Sequence, residues 1–272
     1  MKSPKNIQII VIFGVVTLTV LLYIANKKGK PVKREMPKVE AASAINIEAF
    51  SDSVIQSLDK ENQALVNQMK LLSNKSQGFD SIAGILLPKS VTASAFYYEK
   101  SANISATNLA WKKAGLLYYK ATRFDQPYLK QTLFSKAIEC YNNAMQLDTN
   151  DLEAATMLGT CFVEGSAQPM NGIMLLRKVV SKDSTYIDAQ VQLGLFAIQS
   201  GQTDKAVDRF NKILKIKPDY IQAYIYLGQI YADMGKKEQA IEMLELYMKK
   251  SNDNTINQQV EQFINDLKNT KK

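Results

Sequence analysis

The feature that most constrains this chain is a recurrence of small and apolar residues with a period of 34 positions. A fixed period of this length is typical of stacked helix pairs, in which each unit covers the apolar side of its neighbour. Small residues let two helices approach closely, large apolar residues fill the adjacent space, and glycine permits the turn between them. The recurring pairs are Leu193-Gly194 and Leu227-Gly228, Gly201 and Gly235, Ala206 and Ala240, and Phe210 and Leu244.

Less regular copies of the same pattern precede the two clear ones. One copy has Leu158-Gly159 in its first helix, and the earlier copy has Trp111, Ala114-Gly115 and Tyr118. In the earlier copy about ten additional residues, near 121–135, separate the two helices and predict longer helices or a projecting turn. After the last copy, residues 254–267 carry apolar side chains at helical spacing, which predicts a helix that caps the stack.

Residues 7–25 form an apolar run that is long enough to cross a bilayer. As a helix the run would rise roughly 28 Å, which is close to the hydrocarbon thickness. A cleaved signal peptide is the alternative, but its apolar part is usually shorter and ends at a small-x-small site. This chain has Tyr23-Ile24-Ala25 at that place. The sequence therefore predicts an N-terminal transmembrane helix that acts as a single-pass membrane anchor.

Most of the excess positive charge lies beside this run and not in the repeats. Residues 1–40 hold eight of the 34 basic and two of the 26 acidic residues, so the other residues contribute only +2 of the net +8. This distribution argues against nucleic-acid binding and predicts an extended, solvated linker at 26–43. The basic residues after the run favour a cytoplasmic soluble part, but large domains are translocated largely regardless of charge, which leaves a periplasmic position open.

Residues 44–75 are predicted to form one long amphipathic helix. Leucines at seven-residue steps between Leu58 and Leu72 suit a self-associating coiled coil, although polar residues interrupt the seam. Packing of the apolar stripe on the repeats is the other interpretation. A break at Gln77-Gly78 then separates this helix from a short helix pair at 79–103, which is similar to a degenerate repeat.

The composition excludes several classes of catalytic site. The chain has no histidine, so a Ser-His-Asp triad, a Cys-His pair and a histidine zinc site are all absent. Cys140 and Cys161 are too few and too far apart in sequence for a thiolate metal site or a C-x-x-C motif, and buried apolar positions are expected for both. Glycine-rich phosphate loops and nucleophile elbows are also missing. No catalytic, metal or cofactor-binding residue is predicted.

The four copies resemble the tetratricopeptide repeat family, whose signature is tryptophan-x-x-leucine-glycine-x-x-tyrosine. The resemblance covers Asn108 to about Ser251, roughly half of the chain, and the two C-terminal copies agree in register. It implies an α-solenoid that binds proteins or peptides and carries no chemistry of its own. Together with the apolar run, the architecture is similar to that of bacterial inner-membrane tetratricopeptide proteins used in envelope assembly.

In this family the first helix of each repeat lines the concave face, so the register implies a partner-binding groove. Chaperone-binding members hold a terminal carboxylate with lysines and asparagines on successive helices, whereas lysines occur on one repeat only in this chain. The mixed surface suits an extended or helical peptide, held by side-chain hydrogen bonds and one or two apolar anchors. The groove residues implied by the register are Lys112, Lys113, Thr156, Thr160, Gln192, Leu195, Gln199, Tyr226, Gln229 and Asp233.

The predicted fold class is all-α, with an N-terminal transmembrane helix, a tetratricopeptide-repeat α-solenoid and a C-terminal capping helix. The predicted function is a membrane-anchored, non-enzymatic scaffold for a protein or peptide partner, without nucleic-acid or small-molecule substrates. A structural, self-associating membrane component that uses the long N-terminal helix is the alternative. The expected organisation is an anchor at 1–25, a linker at 26–43, N-terminal helices at 44–103, repeats at 104–253, and a capping helix with a tail at 254–272.

Overall fold

The computed structural model describes residues 46–72, 74–125 and 127–269, and no strand occurs within these ranges. Thirteen α-helices and one short 3-10 helix, Pro127–Leu129, follow one another there. The predicted all-α helical-repeat solenoid is therefore confirmed. The helices are α1 Ile47–Gln56, α2 Lys60–Lys70, α3 Lys75–Leu86, α4 Val91–Ser105, α5 Asn108–Phe124, α6 Lys130–Leu147, α7 Leu152–Gly165, α8 Pro169–Lys182, α9 Ile187–Gln199, α10 Thr203–Ile216, α11 Gln222–Asp233, α12 Lys237–Lys250 and α13 Asn254–Asn269.

Four consecutive helix pairs, α5–α6, α7–α8, α9–α10 and α11–α12, form the repeats that the 34-residue period predicts. In two of them the repeated glycine of the first helix faces the repeated large residue of the second. A Cβ atom at Gly194 would lie 2.9 Å from Phe210, and one at Gly228 would lie 2.7 Å from Leu244. Both large side chains are buried, so only glycine lets the paired helices approach this closely.

A glycine in the left-handed conformation makes the turn within each of the two regular pairs. Gly201 and Gly235 both have a φ of +73°, where a Cβ atom would be strained. The next residue then closes the helix end, as the Gln202 N–H donates to the Ala197 carbonyl at 2.8 Å. The period of the glycines in the sequence is therefore the period of the turns.

The single long helix predicted for residues 44–75 is wrong, because the structure has two helices there. α1 ends at Gln56 and α2 begins at Lys60. The residue before α2, Asp59, is its N-cap and accepts a hydrogen bond from the Asn62 N–H at 2.8 Å. This N-cap stabilises the start of a second helix. The sequence did not indicate it, because the apolar residues keep their helical spacing across both helices. The leucine pattern is not continuous on one helix, so the coiled-coil alternative loses its structural basis.

The break predicted at Gln77-Gly78 is also wrong, because both residues lie in the first turn of α3. Gly78 instead marks a close approach between helices. A Cβ atom there would lie 2.5 Å from the backbone oxygen of Met69 in α2. Glycine is required at this position by its neighbour and not by a turn.

Among the described residues, no helix combines the length and the apolar character that crossing a bilayer requires. Two predictions are therefore corrected, namely the transmembrane helix in the fold class and the single-pass membrane localisation. The described fold is a helical-repeat array. The segment that motivated both predictions, residues 7–25, lies outside the described residues, as does the linker predicted at 26–43.

The additional residues near 121–135 both lengthen the flanking helices and form a turn between them. Asp125 in this turn accepts a hydrogen bond from the Thr92 N–H at 2.7 Å and so caps the start of α4. Phe124 and Tyr128 are 56% and 61% exposed on the same segment. The insertion therefore ties α4 to the end of α5 and carries two exposed aromatic side chains.

A buried polar network joins α4, α5 and α6. Glu99 is only 8% exposed, accepts a hydrogen bond from the hydroxyl of Tyr118 and forms a 2.9 Å ion pair with Lys136. An isolated carboxylate in this position would be costly, so the two partners allow the charge to stay among apolar side chains.

Both cysteines, Cys140 of α6 and Cys161 of α7, are free thiols and fully buried. Burial raises the pKa of each thiol well above its usual range. We therefore expect neither to react within minutes with a thiol reagent at neutral pH, whereas both should react after unfolding in urea. Mass spectrometry of the labelled chain measures this, and rapid labelling of the native protein would contradict the packing.

Candidate partner-binding surface

We name the first helices of the four repeats, α5, α7, α9 and α11, the first-helix wall. α7 contacts both α5 and α9, and the 34-residue register continues the row to α11. All ten residues predicted for the partner-binding groove lie on these four helices. Their exposure decides which of them a partner can reach.

Two of the predicted groove residues, Thr156 and Thr160, are enclosed within the repeat. The Thr156 hydroxyl donates to the Leu152 carbonyl at 2.7 Å, and the Thr160 hydroxyl donates to the Thr156 carbonyl at 2.9 Å. The two residues are 2% and 0% exposed. Each hydroxyl is bonded to its own helix and each side chain packs inward, which argues against contact with a partner, and the predicted role stays a prediction.

Tyr226 is also a packing residue and not an exposed anchor. It is 3% exposed, and its ring stacks on Phe210 with centroids 4.7 Å apart and planes 23° from parallel. Burial, with a smaller effect from Tyr220, raises the pKa of the Tyr226 phenol above its usual range. The side chain joins α10 to α11, and its burial argues against contact with a partner, which stays a prediction.

Gln229 and Asp233 form a hydrogen-bonded pair on α11. The Gln229 Nε2 donates to Oδ1 of Asp233 at 3.2 Å, while Oε1 of Gln229 is buried and accepts no hydrogen bond from the described residues. An enclosed acceptor without a donor costs about 1–3 kcal/mol. Asp233 itself is exposed. Only the Asp233 carboxylate of this pair is therefore open to a donor group from outside.

Lys112 joins α5 to the start of α7. Its Nζ lies 2.8 Å from Asp151 and 2.7 Å from Glu153. Burial alone would lower the pKa of Lys112 and raise that of Asp151, but the bonds between them outweigh burial and shift both in the opposite direction. The ion pairs therefore hold two neighbouring first helices together at one end.

Replacing Lys112→Met is expected to lower the free energy of unfolding by about 1–2 kcal/mol at neutral pH, since two carboxylates lose their cation. The lowered pKa of Asp151 contributes stability above the usual carboxyl pKa of about 4, and this contribution is lost as the pH falls through the folded-state pKa. Urea titrations should therefore show the difference between wild type and variant shrinking below about pH 4. A difference that does not change with pH would contradict the ion-pair explanation.

A second charged contact joins α5 to α7 near the C-terminal ends of both helices. Arg123 of α5 donates to Glu164 of α7 at 2.8 Å and to the hydroxyl of Tyr119 at 2.6 Å. The Tyr119 hydroxyl donates in turn to Glu164 at 3.1 Å, which completes a closed network. Sequence reasoning missed this network, because its members lie on different repeats and only the stacking brings them together.

Four of the predicted groove residues on α9 and α11 are accessible. Gln192 and Leu195 are partly exposed, and Gln199 and Asp233 are exposed. These side chains offer two amides, one carboxylate and one aliphatic group. Such a surface can combine directional hydrogen bonds with a small apolar contact.

Asp188, at the start of α9, is a further member of this surface that the sequence did not single out. Its side chain is exposed, yet desolvation by the surrounding protein raises the pKa of its carboxyl, with the charge of Glu153 adding to the shift and that of Lys217 opposing it. The Asp188 carboxyl is therefore reachable from solvent, although neighbouring protein atoms exclude part of its water. This combination is expected where a surface is concave.

A depression of about 260 Å³ lies between α3, α4 and α5, and Lys113 is one of its lining residues. The Lys113 Nζ lies 3.7 Å from the centre of the Tyr98 ring. Nowhere in the described ranges do three or more metal-ligating side chains gather. The other residues that line the depression include Ser76, Asp80, Ser101, Ser105, Thr107 and Leu109.

Comparison with known sequences supports the repeat assignment at the C-terminal end. Residues 197–259, from the end of α9 into α13, match the sequence model of the family described as tetratricopeptide repeat. No curated protein matches the chain at a significant level. The predicted resemblance to this family is thereby supported, while the membrane-anchored architecture that accompanied it is not.

Solved structures share the helical-repeat fold at low sequence identity. A tetratricopeptide repeat protein from Parabacteroides merdae is 15% identical over 76% of this chain and 78% of its own, with a TM-score of 0.56. MamA from Desulfovibrio magneticus is 17% identical over 65% and 94%, with a TM-score of 0.50. YrrB, described as a tetratricopeptide repeat protein with an unusual peptide-binding site, is 19% identical over 74% and 99%, with a TM-score of 0.45. The likeness to the first two structures, at 15% and 17% identity, establishes the fold and not a shared partner.

Proposed function

We propose that this protein is an interaction scaffold that binds a segment of a partner protein along the first-helix wall. The observation that carries the proposal is the accessible set of Gln192, Leu195, Gln199 and Asp233 on α9 and α11. Amide and carboxylate groups can bond to a peptide backbone, and Leu195 offers an apolar anchor among them. Protein binding is also the usual role of tetratricopeptide arrays.

The chemistry of α9 and α11 favours a segment that supplies hydrogen-bond donors. Asp188 and Asp233 are exposed acids on these two helices. At the other end of the wall, Lys112 and Arg123 are already bonded to carboxylates of α7. A segment with basic or amide groups around one aliphatic side chain therefore fits the α9–α11 part.

The experiment selects peptides from a phage-displayed random library on the full chain and measures their affinity for matched variants. Leu195→Asp should weaken the selected peptides by about tenfold or more, because it removes the apolar anchor and adds a repelling charge. Met174→Asp makes a similar change on α8, where the side chain is 57% exposed, and should leave the affinity within about twofold.

Unfolding midpoints of both variants serve as the control for folding. Selected peptides that bind Leu195→Asp as tightly as wild type would contradict the proposed surface. So would an equal loss of affinity in Met174→Asp, because that residue lies on the second helix of its repeat.

A further inference from the structure

We infer that the depression between α3, α4 and α5 receives an acidic side chain of the segment that the first-helix wall binds. The inference rests on the proposed function, because it assigns a place to one end of the bound segment. Lys113 is exposed beside the depression and forms no ion pair within 4.0 Å among the described residues.

The adjacent lysines of α5 differ in what holds their ammonium groups. Lys112 is bonded to both Asp151 and Glu153. Lys113 instead lies over the face of Tyr98, 3.7 Å from the ring centre, and this attraction positions the charge without using an N–H donor. A cation held in this way can bond to an incoming carboxylate without first breaking an ion pair.

Hydroxyl groups of the same lining add hydrogen-bond donors. Ser76 and Ser101 share one hydrogen bond at 2.8 Å, which uses only one of their two hydroxyl hydrogens. The Thr107 hydroxyl accepts from the Ala110 N–H at 3.2 Å, and accepting leaves its own hydrogen for another partner. Together with Lys113, these groups make a donor-rich lining that suits an anion.

Asp80 determines which kind of anion fits. It is the single carboxylate of the lining, and it comes from α3, whereas Lys113 comes from α5. A dianion, such as a phosphorylated side chain, would be repelled by Asp80 more strongly than a monoanion. The volume of about 260 Å³ is several times that of a water molecule and admits a side chain of the size of glutamate. The geometry therefore favours a side-chain carboxylate.

The position of the depression also fixes the spacing expected in the bound segment. From α5 to α11 the wall has three helix-to-helix intervals of roughly 8–10 Å each, or roughly 24–30 Å in total. An extended chain covers this length with roughly seven to nine residues. The acidic residue should therefore lie about that many positions from the basic or amide group that contacts α11.

The test uses synthetic versions of the peptides selected on the full chain, with amidated C-termini and either glutamate or glutamine at the acidic position. Amidation removes the terminal carboxylate, so the side chain is the one source of the charge at that end. Isothermal titration calorimetry should show the glutamine version binding about tenfold more weakly. Lys113→Met should weaken the glutamate version by a similar factor and abolish the difference, whereas Lys113→Arg should retain it.

Asp80→Asn is expected to change the affinity in the direction opposite to Lys113→Met. It should strengthen the glutamate version about two- to threefold, because a like charge is removed from the depression. Both Lys113 and Asp80 are exposed, so thermal unfolding should show these variants to be folded.

Three outcomes would overturn the inference and leave the proposed function intact. Equal affinities of the glutamate and glutamine versions, or a preference for glutamate that survives in Lys113→Met, would do so while wall-dependent binding remained intact. A requirement for a free C-terminus would also overturn it, since the ligand would then be the terminal carboxylate. If no selected peptide depends on Leu195, the proposed function fails and this inference fails with it.

Discussion

Gly172→Ala is expected to destabilise the protein by about 3 kcal/mol or more, although alanine occupies the corresponding place in the two regular repeats. Gly172 of α8 precedes Ala206 by one period and Ala240 by two. A Cβ atom at Gly172 would lie 2.2 Å from the backbone oxygen of Gly159 in α7 and 2.7 Å from Val163. Since the obstacle is backbone, the two helices would have to separate.

The matched control is Gly84→Ala on α3. No atom lies within 4 Å of the Cβ that this change adds, and the residue is exposed in a helix interior. Alanine should therefore stabilise the protein by about 0.5–1 kcal/mol through its higher helix propensity. Urea unfolding followed by circular dichroism measures both variants. Two glycine-to-alanine changes with the same effect would contradict the close crossing of α7 and α8.

Tyr226→Ala is expected to lower the free energy of unfolding by about 3–4 kcal/mol, because it leaves a cavity against Phe210 at the junction of α10 and α11. Tyr128→Ala, at an exposed tyrosine, should change it by less than about 0.5 kcal/mol. Tyr226→Phe keeps the stacked ring, so we expect it to retain most of the stability and to bind selected peptides within about twofold of wild type. Loss of peptide binding in a stable Tyr226→Phe would show that the hydroxyl contacts the partner, against the packing role assigned to it.

The repeats were predictable because the same physical requirement recurs at each turn and each crossing. Gly194 and Gly228 face buried large side chains, and Gly201 and Gly235 adopt a conformation that favours glycine. The sequence period therefore equals the period of the structural repeat. The capping helix α13, predicted from its apolar spacing, follows the same logic.

The direction of individual side chains was not predictable from the register. Thr156 and Gln192 were assigned to the same groove, but the Thr156 hydroxyl bonds to its own helix while Gln192 remains partly exposed. Register identifies the helix that lines a surface, whereas burial depends on the neighbours that each side chain meets.

Features set by polar contacts were also missed. The start of α2 depends on one N-cap, that of Asp59, which the apolar stripe through the same residues concealed. The contact of Arg123 with Glu164 needs the three-dimensional spacing of two repeats, which no local pattern contains. The depression beside Lys113 draws its lining from three helices and has no sequence signature of its own.

Photocrosslinking with a selected peptide tests most directly whether a partner lies on the first-helix wall. A benzophenone amino acid is placed in the full chain at Gln199 on α9 or at Met174 on α8, both of which are exposed. The proposed surface predicts that irradiation attaches the peptide to position 199 and not to position 174. Attachment at position 174 alone, or equally at both positions, would contradict it.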